Sequence, residues 1–377
     1  MLIPFNKPFI VGKELYNISL AVFGDHLSGN GRFSKECAHW LEQRMACRKA
    51  LLTHSCTGAL EMMALLLNIG PGDEIIMPSH TFVSTASAFV LRGGVPVFVD
   101  IRADTLNMDE NKIEAAITKK TKAIVAVHYA GVACEMDAIL AIAQRHDMDV
   151  LEDAAQGLLC TYKGRQLGAF GRFSAFSFHE TKNLISGEGG ALLINRDEDV
   201  ERAEILWEKG TNRRKFFRGE VDKYTWVDLG SSFYPSELVT AFLFAQLEKA
   251  DEINQRRKAL FTVYWQGLKI LEQNGFLRLP TLPENTESNG HMFWILLKSE
   301  AIRSELMAHL KERGIYAVWH YSPLHMSPMG QLKCRQHAQL PVTENICARL
   351  LRLPIYYEMT AAEQDYVILN IIRFFEK

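Results

Sequence analysis

An α/β fold, with one large and mostly parallel sheet followed by a smaller α+β region, is what this sequence predicts. Two patterns carry the expectation. Between about residues 49 and 195 seven short β-rich runs alternate with helix-periodic segments, and alternation of that kind implies crossover connections and a parallel sheet covered by helices. From Ser236 the alternation stops, and a long helical stretch leads into a strand–helix–strand pattern. The length of 377 residues also exceeds what one compact core normally takes.

The seven runs are KALLTHS, EIIMPSH, VPVFVD, AIVAVHYAG, DVLEDAA, RFSAFSFH and GALLIN. Between them apolar residues recur at helical spacing, as with Leu60, Met63 and Leu67, or Met136, Ile139, Leu140 and Ala143. The run from Ser236 has no Gly or Pro before Gly267, which predicts one long connecting helix. Beyond it HMFWILL and IYAVWH read as strands around a helical RSELMAHLKERG, with further helices at 341–352 and 361–375. The pattern change places the division near residue 245, giving a large region 1–245 and a small region 246–377.

Composition narrows the function classes. Hydrophobic residues at 48% and charged residues at 23% are ordinary for a globular chain. A formal charge of -2, from 42 basic and 44 acidic side chains, gives no chain-wide attraction to nucleic acid or anionic lipid. Seven scattered cysteines without a CxxC pair or a Cys/His cluster argue for a reducing compartment and against structural zinc. The chain opens without a basic-then-apolar leader, and no stretch approaches about 18 apolar residues, so the expectation is a cytoplasmic protein with no membrane span.

In open α/β sheets ligands bind beyond the carboxyl ends of the strands, so residues just past each run are the ones to inspect. After the first run, Ser55-Cys56-Thr57-Gly58 opens a helix, where free N–H groups suit a phosphate and Thr57 equally suits a helix N-cap. After the second, Phe82 is placed either to stack on a planar ligand or simply to pack. The fifth run ends in Glu152-Asp153, and a carboxylate there needs a cationic partner or a capping role. The sixth leads through Ser177-Phe178-His179-Glu180-Thr181 to Lys182 and then Gly187-Glu188-Gly189-Gly190. A lysine held in a cleft beside a close-packed glycine return suits Schiff-base chemistry.

Taken together these segments, with VHYAGVACEMD, EKGTNR and VDKYTW, closely resemble the DegT/StrS-type sugar aminotransferases over nearly the whole chain. The resemblance implies the aspartate aminotransferase fold and pyridoxal 5'-phosphate as cofactor. It implies Lys182 as the residue that carries the cofactor, Asp153 on the pyridine nitrogen and Gln156 on the ring hydroxyl. Thr57, Gly58 and Ser177 would bind the phosphate, and Phe82 would stack on the ring. The family's usual G-x-N-x-R segment is replaced by Gly230-Ser231-Ser232-Phe233-Tyr234, so Ser232 is the positional match for an asparagine that reaches a neighbouring subunit's phosphate. His320 and Tyr321 match a sugar-site segment.

Arg213 opens a basic, aromatic-interrupted loop, 211–219, suited either to a diphosphate or to solvent. The resemblance further implies L-glutamate as amino donor and a homodimer with shared active sites. As acceptor it implies a dTDP-4-keto-6-deoxyhexose aminated at C4, with the galactose configuration favoured and a 3-keto sugar as the alternative. Such products serve deoxyamino sugar biosynthesis of the O-antigen and enterobacterial common antigen kind. A NAD-dependent oxidoreductase is disfavoured because no GxGxxG follows the first run. A dehydratase of related fold carries histidine in place of Lys182. A regulatory protein on a retired enzyme fold would have no need of Lys182, Asp153 and Gln156 together.

Overall fold

The computed structural model describes residues 1–376. All seven expected runs form strands of one sheet: β1 Lys49–Thr53, β2 Glu74–Pro78, β3 Val95–Val99, β4 Thr121–Val127, β5 Asp149–Asp153, β6 Phe173–Ser177 and β7 Gly190–Ile194. An eighth, the two-residue β8 Arg335–Gln336, comes from the far end of the chain and adds to β3. The order is β1-β7-β6-β5-β4-β2-β3-β8. Only β7 runs antiparallel to its neighbours. Residues following β1, β2, β4, β5 and β6 therefore emerge along a single edge.

The strands form because their residues are apolar on both sides. Ile75, Ile76, Met77, Val97, Phe98, Ile124 and Val125 are all essentially inaccessible to water, as a parallel sheet sandwiched by helices requires. One helical layer packs Leu60, Met63 and Phe89 against Phe98, Val125 and Leu151; the opposite layer packs Met136 and Ile139 against Ile76, Val97 and Ile124. A second core lies in the C-terminal part, where Phe293–Leu297 is the central strand of a small antiparallel sheet flanked by Leu277–Arg278 and Leu350–Leu353. Tyr264, Leu268, Leu306, Leu310, Val367 and Ile371 fill it from three helices.

Three expectations need correction. The run from Ser236 is two helices, Glu237–Glu248 and Ala250–Gln273, separated at Lys249. Its φ of -111° and ψ of 14° interrupt the ladder without any Gly or Pro. The helix expected at 341–352 ends at Arg349, and Leu350–Leu353 turns into a strand because its side chains complete the small sheet. IYAVWH forms only isolated bridges, Ile3 with Ile315 and Val318 with Arg352.

The N-terminal segment ties the two cores together. The Ile3 amide donates to Gly314 O at 2.8 Å and Ile3 O accepts from the Tyr316 amide at 3.0 Å, so Ile3 is buried in the second core. A few residues on, Phe9 stacks on Tyr357 with ring centroids 3.8 Å apart, and its carbonyl accepts from Gln246 Nε2. Among the described residues no helix is long and apolar enough to cross a membrane.

Glu152 anchors the middle of the large sheet. It is fully buried, and its oxygens accept from the amides of Gly168, Phe170 and Gly171, each at 2.7 Å, and from His128 Nε2 at 3.0 Å. Nδ1 of His128 faces the Cys134 amide at 3.2 Å, so both ring nitrogens are engaged. Glu152→Ala strands three buried N–H groups and the histidine, and should lower unfolding stability by about 3–5 kcal/mol in a urea titration. A loss below about 1 kcal/mol would mean that water or a shifted side chain satisfies those donors.

Candidate active site

The strand edge opens into a cleft of about 770 Å³ between the large sheet and the C-terminal part. Eight of the residues singled out from the sequence line it: Thr57, Phe82, Asp153, Gln156, Ser177, Lys182, His320 and Tyr321. They come from the ends of β1, β2, β5 and β6 and from the segment after Val318, so convergence follows from the parallel topology.

Asp153 ends β5 and is 5% exposed. Oδ2 accepts from Thr85 Oγ1 at 2.6 Å and Oδ1 from the Ala155 amide at 3.2 Å. Thr85 is itself held by Thr81 at 2.8 Å. These contacts fix the carboxylate at the cleft wall and leave it short of a cationic partner. Lys182 is half-buried, and its ammonium makes no hydrogen bond or salt bridge to any described residue. Burial lowers its proton affinity and Arg352 adds to that, against the opposing pull of Asp153.

Ser55 caps the helix Cys56–Leu66, its Oγ accepting from the Gly58 amide at 3.1 Å. The N-cap reading of Thr57 changes as a result. Thr57 sits inside the first turn rather than at the N-cap, and its hydroxyl lies 2.7 Å from Ser84 Oγ at the cleft. Gly58, whose N–H donates to Ser55, is not among the residues that line the cleft. Phe82 is 57% exposed and projects beside Tyr321, with ring centroids 6.4 Å apart, so it is not packed in the core. Gln156 accepts from the Ala130 amide at 2.7 Å and donates to Tyr321 at 3.2 Å. His320 pairs with the Tyr129 hydroxyl at 3.0 Å, and burial beside Arg352 drives its proton affinity far down.

Arg213 and Ser232 do not reach this cleft. The expected basic loop contains a short helix, Arg213–Phe217. Arg213 lies over the Phe217 ring at 5.1 Å and lines a separate cavity of about 600 Å³ with His26, Lys35, His39 and Tyr234. Arg214 and Arg218 are both committed to Glu204. Ser232 is exposed on the same part of the molecule, bridged to Glu208.

Sequence reasoning missed the far wall. Arg257, His291 and Arg352 line the cleft from the C-terminal part. Arg257 is 4% exposed, with its proton affinity pulled down to about 10 by burial, and its Nε has no partner. Arg352 Nε is likewise without a partner, and its guanidinium lies over the Phe5 ring at 4.7 Å. No local pattern marks these residues; only the fold brings them to Lys182.

A reactive amine of low proton affinity, a buried carboxylate awaiting a cation, an exposed ring and a cluster of hydroxyls at a helix start together fit pyridoxal 5'-phosphate. Known proteins define the class. The chain belongs to the DegT/DnrJ/EryC1/StrS aminotransferase family, whose model matches residues 14–372. It is 34% identical to the spore coat polysaccharide biosynthesis protein SpsC of Bacillus subtilis (strain 168) over 382 residues, 97% of this chain and 95% of that protein.

Among solved structures it is similar to the sugar aminotransferase Spr1654 from Streptococcus pneumoniae in its PMP-form, with 26% identity and a TM-score of 0.92 over 100% of this chain and 98% of that one. DesV from S. venezuelae is 30% identical, with a TM-score of 0.90 over 100% of this chain and 99% of that one. The chain is thus a pyridoxal-phosphate-dependent sugar aminotransferase with an α/β fold. Lys182 of the cofactor-free protein should be captured by pyridoxal phosphate faster than any other lysine. The pH of half-maximal rate should lie below the 10.5 of an ordinary lysine, because the neutral amine is the nucleophile. Stopped-flow absorbance across pH 6–11 with peptide mapping after borohydride would show this; a first adduct on another lysine would overturn it.

Proposed function

We propose that this enzyme transfers the amino group of L-glutamate to C4 of a dTDP-4-keto-6-deoxyhexose, giving the amino sugar in the galactose configuration and 2-oxoglutarate. The observation that carries the reading is the free Lys182 amine opening on the same cleft as the Asp153 carboxylate. Support for C4 is the likeness of His179-Glu180-Thr181-Lys182-Asn183 and Gly210-Thr211-Asn212-Arg213 to the dTDP-4-amino-4,6-dideoxygalactose transaminases.

Pyridoxal phosphate supplies an aldehyde for amine exchange and a ring that accepts the electrons of a breaking C–H bond. Lys182 would hold the cofactor by that aldehyde and, once freed by the amino donor, would as a neutral amine move a proton from the donor's α-carbon to the cofactor and, with the sugar bound, from the cofactor to the sugar carbon. Asp153 keeps the ring nitrogen protonated, and Phe82 covers a ring face. Gln156 holds the ring hydroxyl, and Thr57 and Ser177 hold the phosphate. His320 and Tyr321 orient the sugar from the opposite wall. Arg213 and Ser232 lie away from their own cleft, which favours a role in a second copy: Ser232 on the phosphate and Arg213 on the nucleotide diphosphate of a homodimer's other site.

Incubation with L-glutamate and dTDP-4-keto-6-deoxyglucose should yield a C4 amine with an axial nitrogen by proton NMR. Amination only of a 3-keto sugar, or none at all, sinks the substrate reading. Lys182→Ala should cut turnover by at least about 10³-fold. Mixing it with Ser232→Ala protein tests the dimer: if Ser232 acts across subunits, exchange puts both defects in one site and restores activity at limiting cofactor above either parent. Demonstrated exchange without that rise would place Ser232 elsewhere.

A further inference from the structure

His291 lies on the cleft wall with every polar atom of its backbone and one ring nitrogen already committed. Its amide donates to Asn289 Oδ1 at 2.9 Å, and its carbonyl accepts from Arg257 at 2.6 Å. Nδ1 lies 3.0 Å from Oδ1 of Asn183, the residue next to Lys182. The protonation of the ring follows from this network. Asn183 Nδ2 donates to the Asn289 carbonyl at 3.1 Å, and a carbonyl can only accept, so Asn183 must turn its own oxygen toward the histidine. Nδ1 is therefore the protonated nitrogen, and Nε2 carries the lone pair.

Nε2 has no partner among the described residues and opens on the cleft that Lys182 shares. Burial, with Lys182, Arg257 and Arg352 nearby, keeps the ring neutral. Around Lys182 the other groups are committed differently. Asp153 is held by Thr85 and Ala155, the Cys56 thiol is kept protonated by burial, and Arg257 and Arg352 can only donate.

We infer that His291 is a positioning residue for the lysine: its Nε2 accepts a hydrogen bond from the Lys182 amine once the donor has displaced that amine, and so aims the nitrogen lone pair at the carbon whose proton it moves. This rests on Lys182 as the proton-transfer base. The Asn183–His291 pair accordingly has two ends, one tying down the loop that bears Lys182 and one receiving its side chain.

The two ends can be separated chemically. His291→Asn places an amide near the Nδ1 position and keeps the contact to Asn183 but has nothing at Nε2; His291→Gln reaches the Nε2 position and loses the contact to Asn183. Single-turnover conversion of the cofactor-loaded enzyme is read by absorbance with whichever of L-glutamate, L-glutamine or L-alanine converts the wild type. His291→Asn should react about 10- to 100-fold more slowly at saturating donor, with unchanged half-saturation and a larger isotope effect from α-deuterated donor. His291→Gln should stay within about fivefold of wild type.

The opposite ranking, or equal losses without a change in isotope effect, overturns the inference and leaves His291 as a structural latch. Should either variant fail to bind cofactor, Asn183→Asp decides. It retains an acceptor for Nδ1 while stabilising the charged ring, so the proton-transfer rate should acquire an acid limb that wild type lacks; a superimposable pH profile overturns the inference. Inertness of the wild type toward L-glutamate alone would instead count against the proposed donor.

Discussion

Two buried carboxylates side by side at the end of one strand set the terms for the rest of this molecule. Glu152 and Asp153 are successive residues of β5, so they point to opposite faces of the sheet. On one face Glu152 takes three amides and a histidine, which holds the strand end and the 168–171 turn in place. On the other, Asp153 receives only a threonine hydroxyl and one amide. A buried carboxylate satisfied that thinly is expensive unless a positive charge joins it. The sheet is thus stable at this point because Glu152 is saturated, and reactive because Asp153 is not.

The opposite wall answers that deficit with an excess. Arg257 and Arg352 bring two guanidinium groups without a carboxylate partner among the described residues; after burial itself, both arginines disfavour the charged form of His291, and Arg352 does the same at His320 and Lys182. The cleft therefore separates an acidic floor, formed by the large sheet, from a basic wall formed by the second core. A ligand with a cationic ring and anionic substituents matches that polarity better than a neutral one.

Much of the large sheet was legible in the amino-acid order because buried parallel strands are short apolar runs closed by turns, and all seven could be found that way. The cleft residues on those strand ends were legible for the same reason. What could not be read came from packing between distant segments. The break at Lys249 has no Gly or Pro to announce it, and Leu350–Leu353 shows the same apolar run whether helix or strand. The cap of the first cleft helix lies two residues earlier than Thr57, at Ser55, and a run of small hydroxyl residues does not say which of them will cap. Arg257, His291 and Arg352 sit in unremarkable surroundings in the sequence, and Arg213 shows that a cluster of cations says nothing about the face it will occupy.

The N-terminal segment has a consequence for how this chain is made. Ile3 is made long before its backbone partners, Gly314 and Tyr316. At roughly 5–20 residues per second Ile3 waits about 15 s or more for the residues that receive it. The large sheet has all seven of its main strands by Ile194 and can organise well before then. Closure of the clasp is therefore a late event, and Phe5, which lies against Arg352 in the cleft, arrives with it. The site is completed last by a segment made early.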